Sequence, residues 1–191
     1  MSDIKKCQWA LKTKLEEHYH DTEWGVPVYD DSKLFEALSL ELCQSGLSWH
    51  TILNKREGYR AAFHHFDLKS VAAFDEAKIE ELVLDAGIVR HRAKISAIIN
   101  NARCILEVQQ AYGSFSDYIW QFTGHKTLVG NWQSSEEVPA STELSIQISK
   151  DLKKKGFKFL GPTTTYAFMQ SIGLVNDHTT DCFRFNACGT V

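Results

Sequence analysis

The chain has 191 residues, of which 43% are hydrophobic and 24% charged, a composition that is ordinary for one globular domain. No apolar run approaches the roughly 18 residues that a membrane span needs, and we expect neither a transmembrane segment nor a secretory signal. The formal net charge is −3, so a nucleic-acid partner would have to be held by local basic clusters rather than by the overall charge.

Segments with apolar residues at helical spacing follow one another along the chain, and no segment shows the sustained alternation of a half-buried strand. The first begins at Leu34 and is preceded by the capping carboxylates of Asp30 and Asp31. The predicted helices are Leu34 to Cys43, Ile79 to Ala86, Ala93 to Ala111, Phe115 to Phe122, Leu144 to Lys155 and Thr163 to Ile172. The polar segment 124–142 is predicted to be a loop. We therefore predict an all-α fold that forms a single domain over residues 1–191.

Side chains that can bind metal occur near both ends of the chain. Cys7 and His20 are separated by twelve residues, and the segment HTTDC places His178 and Cys182 four residues apart. If that segment is helical, both of its side chains lie on one face and can reach the same ion. Two thiolates and two imidazoles form a closed tetrahedral zinc site of the structural kind, so the pattern suggests a metal clip between the chain ends.

The spacing alone leaves the ligands of this site open. His18 competes with His20, and Cys188 competes with Cys182, while a single histidine or cysteine is more often an ordinary polar or core residue. Five cysteines in a chain without an apparent export signal indicate a reducing compartment, in which thiols stay free or bind metal. We therefore expect a cytoplasmic protein.

The segment from Leu152 to Gly173 is typical of two helices joined by a tight turn at 159–163. Gly161 permits a backbone conformation that other residues avoid, and Pro162 suits the first turn of the second helix. The free N–H groups at the start of that helix form a natural phosphate site. Lysines beside a helix end often serve only the helix dipole, but a lysine cluster next to backbone donors favours contact with a nucleic-acid backbone. The expected contacts are Gly161, Thr163, Lys154 and Lys155.

Four long stretches are far more specific than these short patterns. They are YHDTEWGVPVYDDSKLFEALSLE, SGLSWHTILNKREGYRAAFHHFD, AGIVRHRAKISAIINNA and GFKFLGPTTTYAFMQSIGLVNDH. In this order, from about Cys7 to Cys182, the chain resembles the 3-methyladenine DNA glycosylase I family. The resemblance implies an α-helical fold of the helix-hairpin-helix DNA glycosylase superfamily. It also implies an enzyme that flips 3-methyladenine out of alkylated double-stranded DNA and hydrolyses its N-glycosidic bond, leaving an abasic site.

The resemblance also implies a structural zinc site that ties the two ends of the chain together. One structural zinc ion per chain would join the terminal segments 1–24 and 174–191. The ligands carried over from the family are Cys7, His20, His178 and Cys182. The protein is expected to act on DNA as a monomer, with no membrane partner.

The residues of the base pocket are carried over from the family one at a time. Glu41 matches the base-contacting carboxylate and is the expected catalytic residue. Tyr19 and Trp49 match the base-facing aromatic side chains, and Trp9 and Trp24 match neighbouring tryptophans. None of these five is a lysine, so the resemblance implies a monofunctional hydrolase rather than a lyase.

Two carboxylates stand outside this set. The family often has a second tyrosine three residues before the position of Tyr19, where this chain has Glu16, and Glu16 is left out of the predicted site. Asp177 is kept as a second catalytic candidate. Two other classes of protein remain as alternatives: a zinc enzyme with an open metal position and Glu41 as its base, and a DNA-binding module without chemistry.

Overall fold

The structure is a computed structural model that describes residues 4–188. In this part of the chain the main elements are helices. They are α1 (Lys14–Thr22), α2 (Asp31–Gln44), α3 (Trp49–Ala62), α4 (Leu68–Ala72), α5 (Glu76–Leu82), α6 (Arg92–Tyr112), α7 (Phe115–Trp120), α8 (Glu143–Lys154) and α9 (Pro162–Ser171). Short 3₁₀ turns occur at Gln8–Lys12, His64–Phe66, Gln121–Thr123 and Ser135–Glu137.

The apolar stripes predicted α2, α6, α7, α8 and α9 to within one turn at each end. The cap of α2 is the side chain of Asp30, which accepts from the backbone N–H of Lys33 at 2.9 Å. Helix α5 begins and ends about a turn earlier than predicted, because Asp75 caps it by accepting from the N–H of Lys78 at 2.9 Å.

The prediction missed α1, α3 and α4. Helix α1 has no apolar stripe, because the residues that it buries are Glu16, Tyr19 and His20. Helix α3 buries only a few apolar side chains among charged ones. The two helices missed at the N-terminal end, α1 and α3, carry much of the site described below.

The segment 124–142 is not entirely a loop, because it contains the strand β1 (Leu128–Val129). This strand pairs in parallel with β2 (Val175–Asn176), with Leu128 opposite Val175. The other regular elements within residues 4–188 are helices, so the all-α prediction is confirmed apart from this two-residue ladder. The ladder matters for the site because β2 leads directly into Asp177 and His178.

Polar contacts fix the C-terminal end of α2 and the start of α7 against the apolar core that α2 shares with α6, α7 and α9. Buried Lys94 donates from Nζ to the carbonyls of Cys43 at 3.0 Å and Ser45 at 2.6 Å, so it caps the end of α2. Asp31 accepts from the backbone N–H groups of Phe115 and Ser116, each at 2.9 Å. Lys94 therefore fixes the last turn of α2, and Asp31 fixes its first turn against α7.

The turn between α8 and α9 has a different backbone from the one predicted. Gly161 has φ −68°, which any residue can adopt, so the expected need for glycine was wrong. The left-handed residues are Gly156, with φ +89°, and Phe159, with φ +60°. The carboxamide of buried Asn101 holds the turn: its Nδ2 donates to the carbonyl of Lys158 at 3.1 Å, and its Oδ1 accepts from the N–H of Lys158 at 2.9 Å.

Candidate active site and metal centre

A cavity of about 690 Å³ opens between α1, α2, α3 and α9 and the 3₁₀ turn Gln8–Lys12. All of the residues that the sequence assigned to the base pocket lie in its wall: Glu41, Tyr19, Trp49, Trp9 and Trp24. The segment 124–142 contributes Ser135 and Val138, and α9 contributes Ala167 and Gln170. Elements far apart in the sequence therefore converge on one concave site.

Glu41 lies in the last turn of α2, and only 7% of its surface is exposed. Within residues 4–188, no hydrogen bond reaches its carboxylate. Burial raises the pKa of Glu41 to about 8, because an ionised carboxylate without donors is costly away from water. A buried acid that no protein group compensates is the kind of side chain expected to meet a ligand.

Aromatic side chains cover the wall beside Glu41. The rings of Tyr19 and Trp49 are tilted against each other with centroids 5.3 Å apart. Trp49 is the first residue of α3, where Ser48 caps the helix by accepting from the N–H of Thr51. The Trp49 Nε1–H is buried and has no hydrogen-bond partner among the residues that the structure describes. Burial raises the pKa of the Tyr19 phenol well above its usual value, and Glu41 is the next contributor.

Trp9 and Trp24 connect the cavity to the metal-binding residues. Their rings meet edge to face with centroids 5.0 Å apart. The Trp9 ring contacts the His20 ring at 5.5 Å, and the Trp24 ring contacts the His178 ring at 4.7 Å. The two tryptophans thus form a wall with the cavity on one side and two imidazoles on the other.

The predicted metal ligands form one buried cluster, in which one donor atom from each of Cys7, His20, His178 and Cys182 lies within 4.8 Å of the others. The Sγ of Cys182 is 3.4 Å from His20 Nε2 and 3.6 Å from His178 Nδ1. The contact between the two thiols raises the pKa of Cys7 and lowers that of Cys182. A divalent cation between them would let both exist as thiolates.

The second nitrogen of each imidazole is engaged outside the cluster. His20 Nδ1 is 2.8 Å from Asp21 Oδ1, and His178 Nε2 is 3.0 Å from the carbonyl oxygen of Trp24. Asp21 Oδ1 and the Trp24 carbonyl oxygen are hydrogen-bond acceptors, so each imidazole carries its proton on the nitrogen that faces them. The other nitrogen of each ring is unprotonated and faces the cluster, as in histidines that ligate metals. Gly25 makes room for this arrangement, because a Cβ at this position would lie 3.0 Å from His178 Nε2.

The segment from His178 to Cys182 is not the helix that the sequence suggested. It is a turn, closed by the N–H of Cys182 donating to the carbonyl of Thr179 at 2.9 Å. The competing candidates lie outside the cluster: His18 is exposed, and Cys188 is buried without joining the four donor atoms.

Asp177 also lines the cavity, but donors already surround its carboxylate. It accepts from Trp132 Nε1 at 2.8 Å, from Gln170 Nε2 at 2.9 Å and from the hydroxyl of Tyr166. This makes Asp177 very different from Glu41, which also lines the cavity but has no hydrogen-bond partner in the described part of the chain.

Several cavity residues were missed by the sequence interpretation. Glu16 lines the cavity and is buried, Thr13 and His50 lie beside it, and exposed Lys12 is at its edge. The pattern Thr-x-x-Glu at 13–16 is a helix-start signal that could have located α1. The Thr13 Oγ1 does accept from the N–H of Glu16 at 3.1 Å.

The lysines at the α8–α9 turn differ in their surroundings. Lys153, Lys154 and Lys158 are exposed. The ammonium of Lys155 instead lies over the rings of Tyr112, at 5.1 Å, and Tyr118, at 5.4 Å. Thr163 is exposed in the first turn of α9.

A helical fold with an aromatic cavity and a buried acid can be assigned to a class of protein by comparison with known protein families. A sequence profile of the methyladenine glycosylase family matches residues 9–185, and the chain belongs to this family. The resemblance inferred from the four sequence stretches is therefore confirmed.

Individual members of the family show which glycosylases this chain is similar to. The chain is 51% identical over 179 residues to DNA-3-methyladenine glycosylase 1 of Escherichia coli, covering 94% of this chain and 96% of the relative. It is 48% identical to DNA-3-methyladenine glycosylase of Haemophilus influenzae, covering 93% and 96%. Among solved structures, 3-methyladenine DNA glycosylase I from Staphylococcus aureus, described for its recognition of 3-methyladenine, superposes with a TM-score of 0.92 at 39% identity, covering 95% and 97%.

Proposed function

We propose that this chain excises 3-methyladenine from alkylated double-stranded DNA by hydrolysing its N-glycosidic bond, which leaves an abasic site. The observation that carries the proposal is buried Glu41, which no described residue compensates, in an aromatic cavity of a member of the methyladenine glycosylase family. Methylation at N3 leaves the purine of the nucleotide with a fixed positive charge and weakens its bond to the sugar. The enzyme then has to expose the base, recognise its charge and admit water.

Recognition relies on the contrast between a cationic and a neutral ring. An enzyme of this class flips the nucleotide into its pocket at a cost of a few kcal/mol, and less for a damaged base. Each aromatic face, such as those of Tyr19 and Trp49, attracts a cationic ring by about 0.5–2 kcal/mol, depending on desolvation. A neutral adenine gains less from the same faces, so the pocket need not discriminate by shape alone.

Glu41 is the proposed catalytic residue and accepts a hydrogen bond from the amino group of the flipped base. With a pKa of about 8, it holds a proton near neutral pH in the free protein. A cationic base beside it favours the ionised carboxylate, so base binding releases that proton. Asp177 is a weaker candidate, because Trp132, Tyr166 and Gln170 already bind its oxygens.

The α8–α9 turn is the proposed helix-hairpin-helix contact to the DNA backbone. The backbone angle of Gly161 does not require glycine, and a Cβ there would meet no atom within 4 Å. The space beside Gly161 is therefore open, and its backbone is free to approach a phosphate. Thr163 and the N–H groups of the first turn of α9 are the matching donors, and Lys154 and Lys155 add positive charge. Ala167 of the cavity wall lies roughly 9 Å along the helix axis from Gly161.

The buried cluster is the proposed site of one structural zinc ion per chain. Two thiolates and two imidazoles with outer acceptors suit zinc, which when bound ties the two chain ends together. Four protein ligands leave no position for a reactive water, which argues against the alternative of a zinc hydrolase. We also propose that residues 1–191 act as one domain and as a cytoplasmic monomer. No helix within residues 4–188 is long and apolar enough to cross a membrane.

The central experiment compares Glu41→Gln with the parent and with Glu107→Gln, a charge-matched control at an exposed position of α6. On methylated duplex DNA, Glu41→Gln should slow base release by about one to two orders of magnitude, because it removes a hydrogen bond to a charged group. It should also weaken binding of free 3-methyladenine, while folding, zinc content and binding to undamaged duplex stay unchanged. Base release at the parent rate would make Glu41 a structural carboxylate.

The same assay of base release distinguishes a glycosylase from the two alternative classes of protein, a DNA-binding module and a zinc hydrolase. A DNA-binding module releases no base from any substrate. A zinc hydrolase stops at once on addition of a chelator, whereas an enzyme with structural zinc loses activity only as its fold loosens. Borohydride reduction during turnover should trap no enzyme–DNA adduct, and an adduct through Lys12 would indicate lyase chemistry instead.

A further inference from the structure

A second carboxylate lies in the cavity wall. Glu16 is 6% exposed, nearly the same as Glu41 at 7%, but it comes from α1 rather than α2. Its Oε2 accepts from the hydroxyl of Thr13 at 2.9 Å. Within residues 4–188, no hydrogen bond reaches its other oxygen, Oε1. The chain therefore buries two acids against one ligand-sized cavity, and each has an oxygen without a partner.

A chain of hydrogen bonds holds Glu16 in place. The Thr13 Oγ1 accepts from the N–H of Glu16, and His50 Nδ1 lies 3.2 Å from the same oxygen. His50 Nε2 in turn lies 2.8 Å from Asn54 Nδ2. If Asn54 donates to Nε2, His50 donates from Nδ1 to Thr13, and the only hydrogen that Thr13 has left points at Glu16. The carboxylate is thus oriented by α1 and α3 together.

Helix capping alone does not explain this position. Thr13 already caps α1 through its own hydroxyl, and Glu17 in the same turn forms an ion pair with Lys6 at 2.8 Å. A glutamate that only served the helix dipole would keep its carboxylate in water, where that interaction contributes a few tenths of a kcal/mol. Glu16 instead lies buried in a cavity wall, where the Thr13 hydroxyl binds one of its oxygens and the other remains available to a ligand.

We propose that Glu16 is a specificity-determining residue, a second anion that selects cationic N-alkylated purines over neutral ones. The proposal rests on the excision of 3-methyladenine proposed above. Glu16 faces the cavity from the α1 side, so its charge attracts a cationic ring without competing for the atoms that Glu41 contacts. The attraction between unit charges several ångströms apart in a partly buried site is large enough to change rates about tenfold.

The test separates charge from shape with two DNA probes. One duplex carries 3-methyladenine, and the other carries an uncharged isostere in which carbon replaces N3 and bears the methyl group. Glu16→Gln should lower kcat/KM on the cationic base about tenfold, while its Kd for the uncharged isostere stays within about twofold of the parent value. Glu107→Gln is the charge-matched control, and Glu16→Asp, which keeps the charge, should recover most of the activity.

Three results would overturn the proposal: no change in kcat/KM for Glu16→Gln, an equal loss on both probes, or no recovery with Glu16→Asp. If Glu16→Gln does not fold, Thr13→Val makes the comparison on its folded fraction, because it removes the hydroxyl that orients the carboxylate. The same hydroxyl caps α1, so the Tm of Thr13→Val should fall by an amount that is common to both probes. The variant should lower kcat/KM on the cationic base alone, and an unchanged value overturns the proposal. A parent protein that releases no 3-methyladenine refutes the excision itself, which is a separate result.

Discussion

Glu41 combines an unfavourable free energy of burial with a proposed function. Its position on the buried face of α2 makes it part of the core, yet it has no donor to compensate its charge within residues 4–188. The free protein meets this cost by holding a proton, since burial raises the Glu41 pKa to about 8. Stability is therefore given up at the residue that we propose to bind the base, as is common at functional sites.

The raised pKa of Glu41 predicts a pH-dependent gain in stability for Glu41→Gln. Between the unfolded pKa of 4.5 and the folded pKa of about 8, the folded protein holds a proton that the unfolded chain has released. The stability of the parent therefore falls as pH rises through this window, by at most ~1.4 kcal/mol per pH unit from this group. The variant has no such decrease, so its advantage should grow from pH 6 to pH 8.

Urea unfolding of both proteins at pH 6, 7 and 8 measures that difference. All other titrating groups are shared by parent and variant, so their contributions cancel. Glu107→Gln, at an exposed position, should differ from the parent by a constant amount across this range. An equally constant difference for Glu41→Gln would show that the Glu41 carboxyl has an ordinary pKa.

At the scale of elements, sequence patterns predicted the helices that fill the core and missed those that build the site. Helix α6 presents a long apolar stripe and was placed almost to the residue. Helix α1 buries Glu16, Tyr19 and His20, so its buried face looks polar, and apolar periodicity cannot detect it. The pocket residues themselves came from the family resemblance, which also singled out Glu16 as a departure but left it out of the site, and the structure places Glu16 in the cavity wall.

The α8–α9 turn is the element that should hold DNA without reading its sequence. Exchanging Lys153 and Lys154 for glutamine should weaken binding to all duplexes alike and reduce the slope of log affinity against log salt by about 0.9 for each phosphate that is no longer neutralised. The matched control exchanges Lys69 and Lys126, which are exposed and outside this turn. The affinity for several duplexes is measured by titration at different salt concentrations. Weaker binding that is confined to particular DNA sequences would contradict binding to the backbone.

At the scale of the whole molecule, the buried Cys/His cluster brings residues from the two ends of the chain together beside the pocket. Cys7 and His20 come from the first elements, and His178 and Cys182 follow β2. Cys7 itself lines the cavity, and the rings of Trp9 and Trp24 pack against those of His20 and His178, so we expect the position of the pocket wall to depend on the closure of the chain ends. Sequence spacing left two histidines and two cysteines in competition, the family resemblance selected His20 and Cys182, and the fold brings these two together with Cys7 and His178.

The last prediction tests this closure by removing one ligand. Cys182→Ala should lose the zinc and lower Tm, because a metal that closes so long a loop contributes folding free energy directly. Cys188→Ala is the matched control, since Cys188 is also buried near the C-terminal end but lies outside the cluster. It should keep one zinc per chain, although its own cavity costs some stability.

Metal analysis and thermal melting with and without a chelator distinguish the two variants. The chelator should lower the Tm of the parent and of Cys188→Ala, and it should leave Cys182→Ala unchanged because that variant has no metal to lose. Excision of 3-methyladenine by Cys182→Ala should fall together with its folded fraction, since the cluster supports the pocket wall and supplies no reacting atom. Full zinc content and an unchanged Tm after Cys182→Ala would remove Cys182 from the site.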